Sequence, residues 1–145
     1  MNYEILNEYL YPLFHSGFSR MYHVWELIGL EFASGKDLYN IHSQCMFRIV
    51  DKDGKIMICD NDYYEDESVF EDKLDKVGAV LSDMKVKNVR VDPTGDMEIL
   101  LEEDHRIQLF VNSTDGESEM WRLLNQDPET PHIICYPGKI ERYPE

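Results

Sequence analysis

The sequence has no apolar run near the ~20 residues that a membrane-spanning helix needs, and its N-terminus has no basic segment followed by the apolar core of a signal peptide. Cysteine is scarce as well. The three cysteines cannot all pair within one chain and are too few for a disulfide scaffold. We therefore expect a protein of the reducing cytoplasm that is neither secreted nor embedded in a membrane.

Positive charge is the next shortage, because 14 basic residues face 29 acidic ones and leave a formal net charge of -15. A surface of this sign repels nucleic acid and anionic lipid, so we expect neither as a partner. Two interpretations remain open. The acids form a solvated, self-repelling surface, or they steer the protein toward a basic protein partner.

Catalytic and calcium-binding motifs are also missing. The sequence contains no G-x-S-x-G, no H-E-x-x-H and no glycine-rich phosphate loop. An EF-hand loop fails in both possible registers. Counted from Asp51, Gly54 falls at position 4, and counted from Asp60, Glu65 falls where glycine is required. We predict a protein that is not an enzyme and has no catalytic residues.

Two H-x-x-C pairs offer a formal zinc ligand set, namely His42 with Cys45 and His132 with Cys135. Residues i and i+3 of a strand point to opposite faces, which argues against a shared metal. We predict no metal site and no cofactor, and instead buried cysteines with hydrogen-bonded histidines. The alternative is a small hydrolase or ligand-binding domain that uses His42, Cys45 and Asp60, with Asp60 and Asp62 on one strand face.

The chain length of 145 residues and the 43% hydrophobic content predict one α+β domain over residues 1–145, built mainly from antiparallel sheet with two or three short helices. Apolar periodicity predicts a helix over 3–14 that ends near Pro12, strands from Phe18 broken near Gly29, and a hairpin over 46–59 with an Asp53-Gly54 turn. An acidic loop then leads to a helix with Ser68 as its N-cap, and Glu71 three residues on completes a capping box. A short helix is expected in "STDGESEMWRLLN", and a strand in "HIICY".

Alternation of apolar residues predicts a three-stranded meander over 88–111 that joins the 46–59 hairpin in one sheet. Its inner face is expected to hold Val89, Val91, Ile99, Leu101, Ile107 and Leu109. Trp25 and Trp121 are predicted to anchor the core as the largest apolar side chains. Arg48 and Arg122, each preceded by an aromatic residue, are expected to pair with carboxylates or stack on rings.

Four segments occur in an order that resembles a known group: "IHSQCMFRIVDKDGKIMICDNDYYE", a meander ending in "LFVNSTD", "ESEMWRLL" and "PHIICYPGKIE". Small bacterial proteins of that group carry an L-H-x-Q-C-x-W-R-I-like strand, an acidic D-x-Y segment and a later E-x-W-R element. They are similar to immunity proteins of polymorphic toxin systems, including the contact-dependent growth inhibition type. The resemblance covers roughly residues 18 to 142.

The resemblance implies a bacterial cytoplasmic protein that binds and neutralises a cognate toxin domain, often a nuclease with a basic surface, and it supplies no catalytic residues. The chain departs from the pattern at Ile41, where leucine is expected, and at Phe47, where tryptophan is expected. Both changes conserve a core position. The predicted partner-binding residues are the acids of the 60–72 segment: Asp60, Asp62, Glu65, Asp66 and Glu67.

Overall fold

The computed structural model describes residues 3–144. It has an α+β fold with two antiparallel sheets and three helices, in which 45% of the residues are in strands and 24% are helical. The fold class is confirmed. Within residues 3–144, no helix is both long enough and apolar enough to cross a membrane.

The first sheet has six strands in the order β1-β2-β3-β9-β10-β11. Its members are β1 (Gly17–Val24), β2 (Leu27–Ser34), β3 (Asp37–Ser43), β9 (Trp121–Asn125), β10 (His132–Tyr136) and β11 (Lys139–Tyr143). The sheet begins as a meander of three consecutive strands and then takes in the C-terminal strands, which add to the edge of β3. The chain between β3 and β9 forms the second sheet and two of the three helices.

The second sheet has five strands in the order β5-β4-β8-β7-β6. Its members are β4 (Met46–Val50), β5 (Ile56–Cys59), β6 (Val86–Val91), β7 (Met97–Leu101) and β8 (Arg106–Phe110). The predicted union of hairpin and meander is therefore confirmed, with β4 paired to β8. All six residues predicted for its inner face are buried.

Three helices complete the fold: α1 (Tyr3–Leu10), which passes into a 3-10 turn containing Pro12, α2 (Asp60–Glu65) and α3 (Glu67–Leu81). Two predictions for this region are wrong. The acidic segment is helical, because Asp62 accepts a hydrogen bond from the backbone N–H of Cys59 and caps α2. The N-cap of α3 is Asp66 and not Ser68, because the Asp66 carboxylate accepts from the N–H groups of Ser68 and Val69.

One hydrophobic cluster includes side chains from both sheets, from the N-terminal helix and from the buried face of α3. Trp121 is fully buried in it, as predicted, and its indole Nε1 donates to the carbonyl of Gly95 at 2.8 Å. Gly95 lies in the β6–β7 turn, so this bond ties a strand of the first sheet to a turn of the second. The predicted helix around Trp121 is wrong, since Trp121–Asn125 is the strand β9.

Candidate partner-binding surface

The β1–β2 turn presents Trp25 to solvent. Its side chain is 88% exposed, which makes the prediction of a core anchor wrong. Val24 and Leu27 pair across the turn, so the strand break falls at Trp25-Glu26 and not at Gly29. Trp25 has φ +58, in the left-handed region that bulky side chains rarely adopt.

Helix α2 places two tyrosines beside this turn. Tyr63 is half-buried, with its ring centroid 4.7 Å from that of His23 and 5.6 Å from that of Phe70. Tyr64 is 76% exposed, and its ring centroid lies 5.5 Å from that of Tyr63. The inner tyrosine is thus packed on the core and supports the outer one.

Two concavities lie between the β1–β2 turn, the β3–β4 connection and α2. An open groove of about 710 Å³ is lined by Trp25, Tyr22 and His42 among others, and a small cavity of about 70 Å³ is lined by Asp60 and Tyr64 among others. Glu26, Gln44 and Tyr63 line both. The two concavities and the exposed side chains of Trp25 and Tyr64 are hereafter called the turn–helix surface.

The structure places the five predicted acids along α2 and the start of α3, and only one of them lines the turn–helix surface. Asp60 lines the small cavity and accepts from the N–H of Phe47 at 3.3 Å. Asp62 caps α2 and lies 3.4 Å from the Lys73 ammonium. Because both are helical, the expectation that Asp60 and Asp62 share a strand face is wrong.

The other three acids are exposed at the junction of the two helices. Glu65 accepts from the Asn61 side chain at 3.1 Å, and Glu67 is the first residue of α3. Asp66 is the N-cap, and its hydrogen bonds from Ser68 and Val69 lower the pKa of its carboxyl group. All three face solvent.

The four residues of the two H-x-x-C pairs do not meet at one point, because the two histidines and the two cysteines lie on opposite faces of the six-stranded sheet. His42 contacts the Tyr22 hydroxyl at 3.1 Å and His132 contacts the Arg122 guanidinium at 3.0 Å, both on the outer face of the six-stranded sheet. Cys45 and Cys135 are buried on the core side. Within residues 3–144, no group of three or more histidine, cysteine or acidic side chains is arranged to hold a metal ion.

The ionisation of these groups follows from their environment. Burial, followed by the nearby Arg122 guanidinium, lowers the pKa of both His42 and His132. Burial raises the pKa of Cys45, and it raises the pKa of Cys135 to about 12. Both thiols are therefore protonated at neutral pH.

The residues of the alternative hydrolase hypothesis are divided between the two concavities. Cys45 and Asp60 line the small cavity together with His23, whereas His42 lines the open groove. Nucleophilic attack by cysteine needs a thiolate, and the raised pKa of Cys45 disfavours that form.

The predicted roles of the two arginines are confirmed. Arg122 pairs with Glu119 at 2.6 Å. Arg48 lies over the Phe110 ring at 5.2 Å and donates to Gln108.

Sequence reasoning missed Trp25, Glu26 and Tyr64 as surface residues. The available signal was the position of "WE" between two runs of strand-forming residues, where a two-residue turn reverses the chain.

Comparisons with family models, curated proteins and solved structures found no match to this chain.

Proposed function

We propose that the protein is a non-enzymatic binding protein of the bacterial cytoplasm, an immunity protein that neutralises a cognate toxin domain by occluding it. The observation that carries this proposal is the exposed Trp25 at the β1–β2 turn, beside the exposed Tyr64. Tryptophan and tyrosine are the residues most enriched where protein interfaces concentrate their binding energy.

Backbone strain supports the assignment of Trp25 to binding. Glycine or asparagine adopts a positive φ at little cost, whereas a bulky residue does so with strain. An 88% exposed side chain gains almost nothing from burial within the fold to offset that strain. The presence of tryptophan at this turn is explained if the ring becomes buried against a partner.

Charge supports the choice of partner. The net charge of -15 and the acids of α2 and α3 favour encounter with a basic surface, such as the one with which a nuclease grips phosphates. The nuclease identity of the toxin comes from the family resemblance alone.

The decisive experiment co-expresses the chain with the toxin domain encoded by the adjacent gene and measures pull-down and growth protection. Trp25→Asn should keep or raise the thermal midpoint, because asparagine tolerates the left-handed conformation, and should weaken toxin binding at least tenfold. Tyr11→Asn changes another strongly exposed aromatic residue outside the turn–helix surface and should leave binding unchanged. If the intact protein neither binds nor protects, the immunity proposal is wrong.

A second experiment tests the five acids as steering groups. The variant changes Asp60, Asp62 and Asp66 to asparagine and Glu65 and Glu67 to glutamine, which retains the capping acceptors. We expect association with the toxin to slow several-fold, and the wild-type rate to fall as ionic strength rises beyond ~0.15 M. A control neutralises five acids elsewhere: Glu8, Glu103, Asp104, Asp127 and Glu129. Equal association rates for both variants would remove the α2–α3 acids from the interface.

A further inference from the structure

We infer that the turn–helix surface receives the guanidinium group of an arginine from the toxin, seated between the Trp25 turn and helix α2. This inference rests on the proposed function and assigns the chemistry of the contact. It adds Glu26, Tyr63 and Gln44 to a site for which the sequence indicated only Asp60.

The polar groups that line the small cavity are suited to a cation. Glu26 and Asp60, which carry carboxylates, and Gln44 and Asn112, whose amide groups each include an acceptor oxygen, are among its lining residues. No lysine or arginine is among the described residues that line either concavity. The His23 imidazole also lines the small cavity, and its Nδ1 lies 3.0 Å from a Glu71 carboxylate oxygen. A positively charged side chain entering here therefore meets hydrogen-bond acceptors without a competing lysine or arginine.

Aromatic rings form the remaining walls. Tyr63 and Tyr64 line the cavity, and Trp25 lines the adjoining groove. A guanidinium stacks on such rings and at the same time forms paired hydrogen bonds with carboxylates, which an ammonium group does less well. The same chemistry occurs within the fold, where the guanidinium carbon of Arg20 lies 4.9 Å from the ring centroid of Tyr22 in the groove wall.

Two side chains at the centre of the site, those of Asp60 and Tyr63, are held in place before any partner arrives. Asp60 is fixed by the hydrogen bond from the N–H of Phe47, and Tyr63 is packed against His23 and Phe70. Little side-chain freedom is therefore lost when a guanidinium enters.

The size of the small cavity suits a single side chain better than a whole small-molecule ligand. The small cavity of about 70 Å³ is well below the ~300–1,000 Å³ of small-molecule sites. The neighbouring groove is open, so a segment of protein chain can lie there while its side chain enters the cavity.

The test uses the capped peptide acetyl-Gly-Arg-Gly-amide and its citrulline counterpart, which has nearly the same shape without the charge. In NMR titrations of the full chain, we expect the arginine peptide to shift the indole N–H of Trp25 and the backbone amides of Glu26 and Asp60 in a saturable manner. Glu26→Gln and Asp60→Asn should each weaken binding about fivefold, as expected for charged pairs that remain accessible to solvent. Glu129→Gln, a matched loss of charge elsewhere, should have no effect.

Three results would overturn the inference: equal binding of the citrulline peptide, equal binding of a lysine peptide, or shifts spread evenly over all acidic surfaces. Measurements of toxin binding then test this inference independently of the proposed function. If toxin binding is unaffected by Glu26→Gln and Asp60→Asn, the arginine site is wrong and the immunity role stands. If the peptide binds here but no toxin does, the immunity role is wrong and the arginine site stands.

Discussion

At the scale of single residues, the two tryptophans show how position decides what a side chain does. Trp121 is fully buried and its indole N–H is paired with Gly95, whereas Trp25 is 88% exposed at a positive φ. Hydrophobicity alone assigns both to the core. The difference arises because Trp25 occupies a two-residue turn, whose side chains project beyond the end of the sheet.

Gly29 is required by close contact and not by backbone conformation. A Cβ atom added there would lie 2.1 Å from the Cζ atom of Tyr22, whose ring lies across the glycine. Gly29→Ala should displace Tyr22 from its bonds with Asn40 at 3.0 Å and His42 at 3.1 Å, and should cost about 1–3 kcal/mol in urea unfolding.

The matched background for that substitution is Tyr22→Ala, which removes the clashing ring. Gly29→Ala should cost less in this background than in the wild type. Additive losses would show that the ring does not explain the glycine.

His42 and His132 predict a loss of stability in mild acid. Their pKa values are lowered in the folded state, so the unfolded chain binds protons more readily below its ordinary histidine pKa of about 6.5. The stabilisation is complete above pH 6.5 and declines as the pH falls. Urea unfolding at pH 5.5 should therefore give a lower free energy than at pH 7.5.

His132→Gln isolates the contribution of one histidine, because glutamine can still accept a hydrogen bond from Arg122 but does not titrate. The variant should lose less stability than the wild type between pH 7.5 and pH 5.5. Carboxyl groups with lowered pKa values, such as those of Asp51 and Asp115, titrate below about pH 4 and lie outside this interval. An identical loss in both proteins would contradict the assignment.

At the scale of elements, the junction of α2 and α3 depends on one side chain. Asp66 accepts hydrogen bonds from the N–H groups of Ser68 and Val69 and from the Ser68 hydroxyl. Asp66→Ala should lower the thermal midpoint more than Ser68→Ala, since Asp66 is the N-cap. Asp66→Asn retains the acceptor and serves as the control. A larger loss for Ser68→Ala would instead favour the cap position predicted from the sequence.

Strand β9 shows why a local pattern can indicate the wrong element. The segment "EMWRLL" is rich in residues that favour helix, but Trp121–Asn125 pairs with β3 on one side and β10 on the other. Strand β10 follows after a connection of six residues, whereas β3 lies far away in the sequence, and the hydrogen bonds to both partners decide the conformation. No periodicity within the segment reports those partners.

At the scale of the whole molecule, the two sheets share one core. A destabilising substitution in the core of one sheet should therefore also lower the stability of the other. Ile99 is fully buried in β7 of the five-stranded sheet. Ile99→Asp forces an unpaired charge into that core and should prevent folding. Circular dichroism measures the loss, and wild-type stability would refute the placement of Ile99.

Two further variants serve as a surface control and as a milder change in the core. Ile56→Asp introduces the same charge at a half-exposed edge position of the same sheet and should remain folded. Ile99→Val should cost about 1 kcal/mol. When Ile99→Val is combined with Trp25→Phe, Trp121 is the only remaining tryptophan. The unfolding transition of this double variant measured by Trp121 fluorescence should coincide with the transition measured by circular dichroism. Separate transitions would indicate that the sheets unfold independently.

Local periodicity in the sequence was sufficient to predict the α+β class, the 46–59 hairpin and the 88–111 meander. It also predicted the buried face of the five-stranded sheet, because alternation and turn residues are properties of adjacent residues. Asp60 could likewise be predicted as a candidate binding residue because it belongs to an acidic segment. Each of these features depends on interactions within a few residues of chain.

Only the tertiary structure decided the six-stranded sheet, the strand state of Trp121–Asn125, the exposure of Trp25 and the grouping of Glu26 with Tyr63 and Asp60. The strands of that sheet come from both ends of the chain, so its pairing is set by contacts that no local pattern contains. The turn–helix surface likewise joins segments that are separate in sequence, among them the β1–β2 turn, the β3–β4 connection and α2. Its chemistry arises from their packing on one shared core, which places carboxylates and rings at the same end of the molecule.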